Sequence, residues 1–143
     1  MKTNHEIYYD FERTKPVTDY EVDSEGYAIL YTGKFYVFGE TRVYACGNSI
    51  VHANNDSWVW AFDKSVVYAY DNSIVWAKEN SKVWAYENSK VWAVQNSTVL
   101  AHSNSKVEAY QNSTVYANDN SIVFAYENAK IIDRRAITCQ NPT

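Results

Sequence analysis

Three histidines, two cysteines and a recurring serine are the residues of this 143-residue chain whose chemistry could reach beyond packing. His52 and His102 have no second His, Cys or carboxylate at metal-ligand spacing, so the histidines, His5 included, read as surface residues and no metal is expected. A hydrolase nucleophile would have to differ from its neighbours, whereas Ser73, Ser81, Ser89 and their fellows recur at one fixed point of a repeat, where a turn accounts for them. Only four glycines are present, with no glycine-rich phosphate loop among them. Cys46 and Cys139 are widely separated and read as free thiols. No catalytic residue, cofactor or small-molecule substrate is therefore expected, and the chemistry left to the chain is that of surfaces.

Those surfaces are set by an eight-residue phrase, V-x-A-x-x-N-S-x, written eleven times from Val43 to Lys130 without insertion or deletion. Slot one is Val and slot three Ala in every copy, slot six is Asn in nine of eleven, and slot seven is Ser in all but the last, where Ala129 stands. Small constant residues alternate with large variable ones at period two, the pattern of a strand with one buried face. Helix is excluded, because eight residues at 100° each rotate a face by about 80° per repeat. Slots eight to four are read as strand and the acid-Asn-Ser triplet as turn, with Asn taking the left-handed corner. Val, Ala and Ser face inward. Stacked coils would also align the Asn residues into an amide-to-amide ladder. The fold expected is all-β, a single parallel β-solenoid (β-helix). Slot eight recurs best at twenty-four, with Ile50, Ile74 and Ile122 in one column and Trp58, Lys82, Lys106 and Lys130 in another. That favours three-sided coils of twenty-four residues, two-sided coils of sixteen being the alternative.

The phrases Val67-Tyr68-Ala69-Tyr70-Asp71-Asn72-Ser73 and Val83-Trp84-Ala85-Tyr86-Glu87-Asn88-Ser89 resemble the functionally uncharacterised octapeptide-repeat β-solenoid proteins of phage, prophage and gut bacteria. The resemblance covers roughly residues 35 to 132. It implies the fold and a phage-related origin, and it carries over no activity.

Three segments follow: an N-terminal cap segment 1–34, the octapeptide solenoid 35–132, and a C-terminal tail 133–143. The cap is charged and lacks the octad, and a solenoid end needs covering because its strand edges are unpaired. Tyr8, Tyr9, Phe11 and Tyr20 are the candidate plugs. The C-terminal end is thinly protected and is a candidate self-association surface. Residues after Met1 form no leader-like apolar run, and no segment approaches the roughly 20 apolar residues of a membrane span. The location expected is the cytoplasm, which the resemblance implies to be that of a bacterial host.

All five Trp lie between residues 58 and 92, on slots that point outward. Trp58, Trp60, Tyr68, Tyr70, Trp76, Trp84, Tyr86 and Trp92 are the candidate aromatic patch, suited to a protein partner or to a second copy in a homo-oligomer. A second feature is an acidic corner line in slot five: Asp63, Asp71, Glu79, Glu87, Asp119 and Glu127. With net charge −4, DNA or RNA binding is disfavoured, since stacking platforms for single strands need a basic groove. The function expected is a non-enzymatic binding protein. Two alternatives stand beside it. One is inhibition of a host defence or nucleic-acid enzyme by a DNA-mimic or anti-CRISPR-like solenoid, and the other is a carbohydrate-binding or structural fibre module.

Overall fold

The computed structural model of the protein describes residues 5–135, and these form strands joined by turns, without helix. Two short strands, β1 (Glu6–Tyr8) and β2 (Glu21–Val22), precede β3 (Ala28–Leu30) and β4 (Lys34–Phe38). Each octad then supplies one four-residue strand from slot eight to slot three. These are β5 (Arg42–Ala45), β6 (Ile50–Ala53), β7 (Trp58–Ala61), β8 (Val66–Ala69), β9 (Ile74–Ala77) and β10 (Lys82–Ala85). They continue with β11 (Lys90–Ala93), β12 (Thr98–Ala101), β13 (Lys106–Ala109), β14 (Thr114–Ala117), β15 (Ile122–Ala125) and β16 (Lys130–Asp133). Even-numbered strands from β4 to β16 stack in parallel as sheet A. Odd-numbered strands from β3 to β15 stack in parallel as sheet B.

The molecule is thus a β-solenoid, and its coil is two-sided. Val83 pairs with Val67 and Val99, and Ala85 with Ala69 and Ala101, a step of sixteen residues that holds from β4 and β5 onward. This corrects the twenty-four-residue coil. Ile50 belongs to sheet A, whereas Ile74 and Ile122 belong to sheet B, so they form no common column. The physical reason lies inside: Val in slot one, Ala in slot three and Ser in slot seven are at most 1% exposed from Val43 to Ala117. Side chains this small fill the space between two facing sheets about 10 Å apart; a third side would open an interior they cannot fill.

The corners also differ from expectation. The left-handed residue is slot five, not the Asn of slot six: Asn55, Asp63, Asp71, Glu79, Glu87, Gln95, Ser103, Gln111, Asp119 and Glu127 all have φ between 55° and 60°. Slot six is mostly exposed. Its backbone N–H donates to the slot-five carbonyl of the coil before, as Asn88 does to Asp71 at 3.0 Å, so no amide-to-amide ladder is needed to bind the coils.

At the N-terminal end, β1 pairs antiparallel with β4 and β2 antiparallel with β3, so a reversed strand covers each sheet edge. Parallel stacking already begins at β3, whose Leu30 pairs with Ala45, seven residues before the expected start at 35. The plug is aliphatic. Ile7 is 2% and Val17 6% exposed with Tyr20 packed beside them, whereas Tyr9 and Phe11 are 53% and 58% exposed and lie outside it. Isoleucine and valine suit a shaft of Val and Ala; Phe11 instead packs against Tyr36 and Phe38, and Tyr9 against Phe35, which itself belongs to the core. Cys46 is a free thiol whose pKa burial pushes up; Cys139 lies outside the described residues.

Candidate binding surface

In-register parallel strands put equal slots on neighbouring rungs about 4.8 Å apart. That is near the separation at which flat rings stack, so an aromatic in slot two of consecutive rungs makes a column. Sheet B carries Tyr44, Trp60, Trp76 and Trp92 in this slot. Trp60 and Trp76 stack at 4.7 Å and 11°, and Trp76 and Trp92 at 5.2 Å and 12°. Trp58, from slot eight of the same sheet, leans on Trp76 at 5.6 Å. Cations border the column: Arg42 lies 5.0 Å over Trp58 and Lys78 5.2 Å over Trp60. Such contacts contribute about 0.5–1 kcal/mol each at exposed sites.

Sheet A has its own columns. Tyr36, His52, Tyr68 and Trp84 stack at 4.5, 4.8 and 5.0 Å in slot two. Beside them Tyr70, Tyr86 and His102 stack at 5.3 and 5.1 Å in slot four. His52 sits between two rings, and burial together with the charge of Lys34 pulls its pKa down to about 4.

The expected aromatic patch is therefore two patches on opposite faces. Trp58, Trp60, Trp76 and Trp92 gather on sheet B; Tyr68, Tyr70, Trp84 and Tyr86 gather on sheet A. All eight are half-buried, because each ring covers its neighbour's face. What remains accessible is ring edges, with faces free only where a column ends. Edges and indole N–H groups suit protein contact. Sugars and bases, which need a flat face, find one only at a column end.

The acidic line divides in the same way. Asp63, Glu79 and Glu127 run along the corner that leaves sheet B, and Asp71, Glu87 and Asp119 along the corner that leaves sheet A. Their carboxylates carry a structural duty that composition does not reveal. Each accepts the backbone N–H of the slot-five residue one coil earlier, as Asp63 does from Gly47 at 2.8 Å and Asp71 from Asn55 at 2.8 Å. Glu79, Glu87, Asp119 and Glu127 clamp Asp63, Asp71, Ser103 and Gln111 in the same fashion. Uncharged Gln95 and Gln111 do likewise, accepting from Glu79 and Gln95 at 2.7 Å. An acceptor is what slot five requires, and a carboxylate is one way to provide it. A trough of about 980 Å³ runs beside the first corner, walled by these clamping side chains and slot-six amides. Among the described residues no group of three or more His, Cys, Asp or Glu could hold a metal ion. Among the described residues no helix is long and apolar enough to cross a membrane.

No family model matches the chain, and neither a curated protein nor a solved structure was found to match it.

Proposed function

We propose that this protein is a non-enzymatic interaction module whose sheet B face binds a protein partner or a second copy of itself. The observation that supports this is the concentration of four of the five Trp on sheet B, at Trp58, Trp60, Trp76 and Trp92, as a rigid, edge-exposed column bordered by Arg42 and Lys78. Trp and Arg are the residues most often found as energetic anchors at interfaces. A column built on paired strands presents them without loss of loop entropy. The phage or prophage setting implied by the repeat's resemblance belongs to this proposal. Blockade of a host enzyme through the acidic corners has less support, because those carboxylates already accept backbone N–H groups.

The test is to replace Trp60, Trp76 and Trp92 together by Thr, with Tyr68→Thr/Trp84→Thr on sheet A as the control. Sedimentation mass and affinity capture are then compared among folded variants. The sheet B triple is expected to lose a mass or a captured partner that wild type and control share. Identical mass and capture in all three would defeat the proposal.

A second reading rests on the other end of the solenoid. Among the described residues nothing pairs with the outer edge of β15 or β16. There Ile122, Phe124, Tyr126, Ile131 and Ile132 are 38–54% exposed. Pairing of two such ends would be isologous and close at a dimer, since the antiparallel β1 and β2 block the other end from adding further copies.

A further inference from the structure

The aromatic column of sheet B breaks at a single rung. Trp92 pairs with Glu108 and Glu108 with Phe124, so a carboxylate stands where the column's next ring would be. Trp92 is stacked through one face only, on Trp76, and Phe124, 54% exposed, stands on the far side of the gap. Two rungs separate these rings by about 10 Å. One additional planar ring fills that distance at the spacing the column already uses, 4.7 and 5.2 Å.

Glu108 leaves the position open because its carboxylate is drawn along its own strand, accepting the Tyr110 hydroxyl at 2.7 Å. The result is a cleft of about 170 Å³ lined by Trp92, Glu108, Phe124, Lys90 and Lys106. The corresponding break in sheet A is filled differently: Leu100 stands between Trp84 and Tyr116, and Arg134 covers Tyr116 at 4.5 Å.

The rim chemistry of the cleft is two-sided. On one side is an acceptor-only carboxylate. On the other are two cross-strand ammonium groups, Lys90 beside Lys106. None of these three takes part in the ion pairs found among the described residues. A guanidinium would enjoy the rings and the carboxylate but would meet both lysines. A planar ring with N–H donors on one edge and an anion on the other satisfies every group. Adenine turns a ring-nitrogen acceptor toward a carboxylate beside its single amino donor, whereas guanine offers adjacent N1–H and N2–H donors that match the two carboxylate oxygens.

We propose that the gap between Trp92 and Phe124 is a binding slot for a guanine mononucleotide. The base completes the column, its donor edge lies on Glu108, and its phosphate lies on Lys90 and Lys106. This site lies at the end of the column assigned to the protein contact and shares Trp92 with it, while Glu108, Lys90, Lys106 and Phe124 belong to the slot alone.

The experiment titrates GMP, AMP, guanosine and arginine amide into the folded protein, reading tryptophan quenching with excitation at the red edge and confirming occupancy by equilibrium dialysis. GMP is expected to saturate, with AMP and guanosine each at least about tenfold weaker. Glu108→Phe supplies the missing ring from within and is expected to abolish GMP binding. Glu108→Gln, which disturbs the fold least, is expected to weaken it about tenfold. The proposal is overturned if no titrant saturates below millimolar concentration, if AMP or arginine amide binds as well as GMP, or if GMP binding survives Glu108→Phe unchanged.

Discussion

A left-handed backbone disfavours every residue with a Cβ, least of all Asn and Asp, yet slot five holds Glu at 79, 87 and 127 and Gln at 95 and 111. The reason is their acceptor: reaching back to a backbone N–H one coil earlier offsets the conformational cost, and a glycine could not do this. Gly47 stands where a side chain would be crowded, because a Cβ there would lie 3.0 Å from the Tyr31 carbonyl oxygen. Slot seven poses the opposite problem. Ser97 and Ser113 donate their hydroxyls to the carbonyls of Val94 and Tyr110, but Ser89 Oγ, like most of its column, is fully buried without a protein partner. A buried unpaired hydroxyl costs about 1–3 kcal/mol. Ser89→Ala is therefore expected to raise unfolding free energy by about 1 kcal/mol in denaturant melts, while Ser97→Ala is neutral or slightly destabilising. His52 adds a pH dependence. Its folded pKa of about 4 lies below its ordinary 6.5, so the unfolded chain binds the proton more readily. Its contribution to stability is complete above pH 6.5 and is lost as pH falls from there through 4. His52→Tyr continues the ring column of Tyr36 and Tyr68 and is expected to flatten the fall in melting temperature across that window.

At the scale of the element, each octad makes one strand and one corner. The strand faces, the inward Val-Ala-Ser set and the turn triplet were all legible, because side-chain period and turn chemistry are local properties. Which residue turns the corner was not. Asn tolerates the left-handed region best in isolation, but slot five takes it because only from there does a side chain reach the preceding coil. Coil length was not legible either, since slot eight faces outward, where chance recurrence at twenty-four met no packing constraint. The sixteen-residue coil makes a direct prediction. Lys82 and Thr98 are paired neighbours, at a Cα separation that a disulfide tolerates. Lys82→Cys/Thr98→Cys is expected to cross-link within the chain to near completion under mild oxidant. Lys82→Cys/Lys106→Cys, which joins the two sheets rather than two rungs, is expected to give none. Mass spectrometry of the peptides decides between them.

For the whole molecule, the two-sided coil decides what surface exists. A single aromatic patch and a single acidic line, both continuous in the sequence, become two of each, because alternate octads turn to opposite faces. The sheet B tryptophan test is aimed at that division, with sheet A as its own control. At the N-terminal end the antiparallel β1 and β2 lie on the first parallel rungs. The amino-acid sequence by itself determined the solenoid, its strands and its core, since burying one small face of every octad leaves no other arrangement. Only the tertiary structure decided how many octads close a coil, and with that which rings stack, which carboxylates clamp, and where Glu108 interrupts the column. Those relations join residues sixteen and thirty-two apart, across a distance that no local pattern of hydrophobicity or turn chemistry encodes.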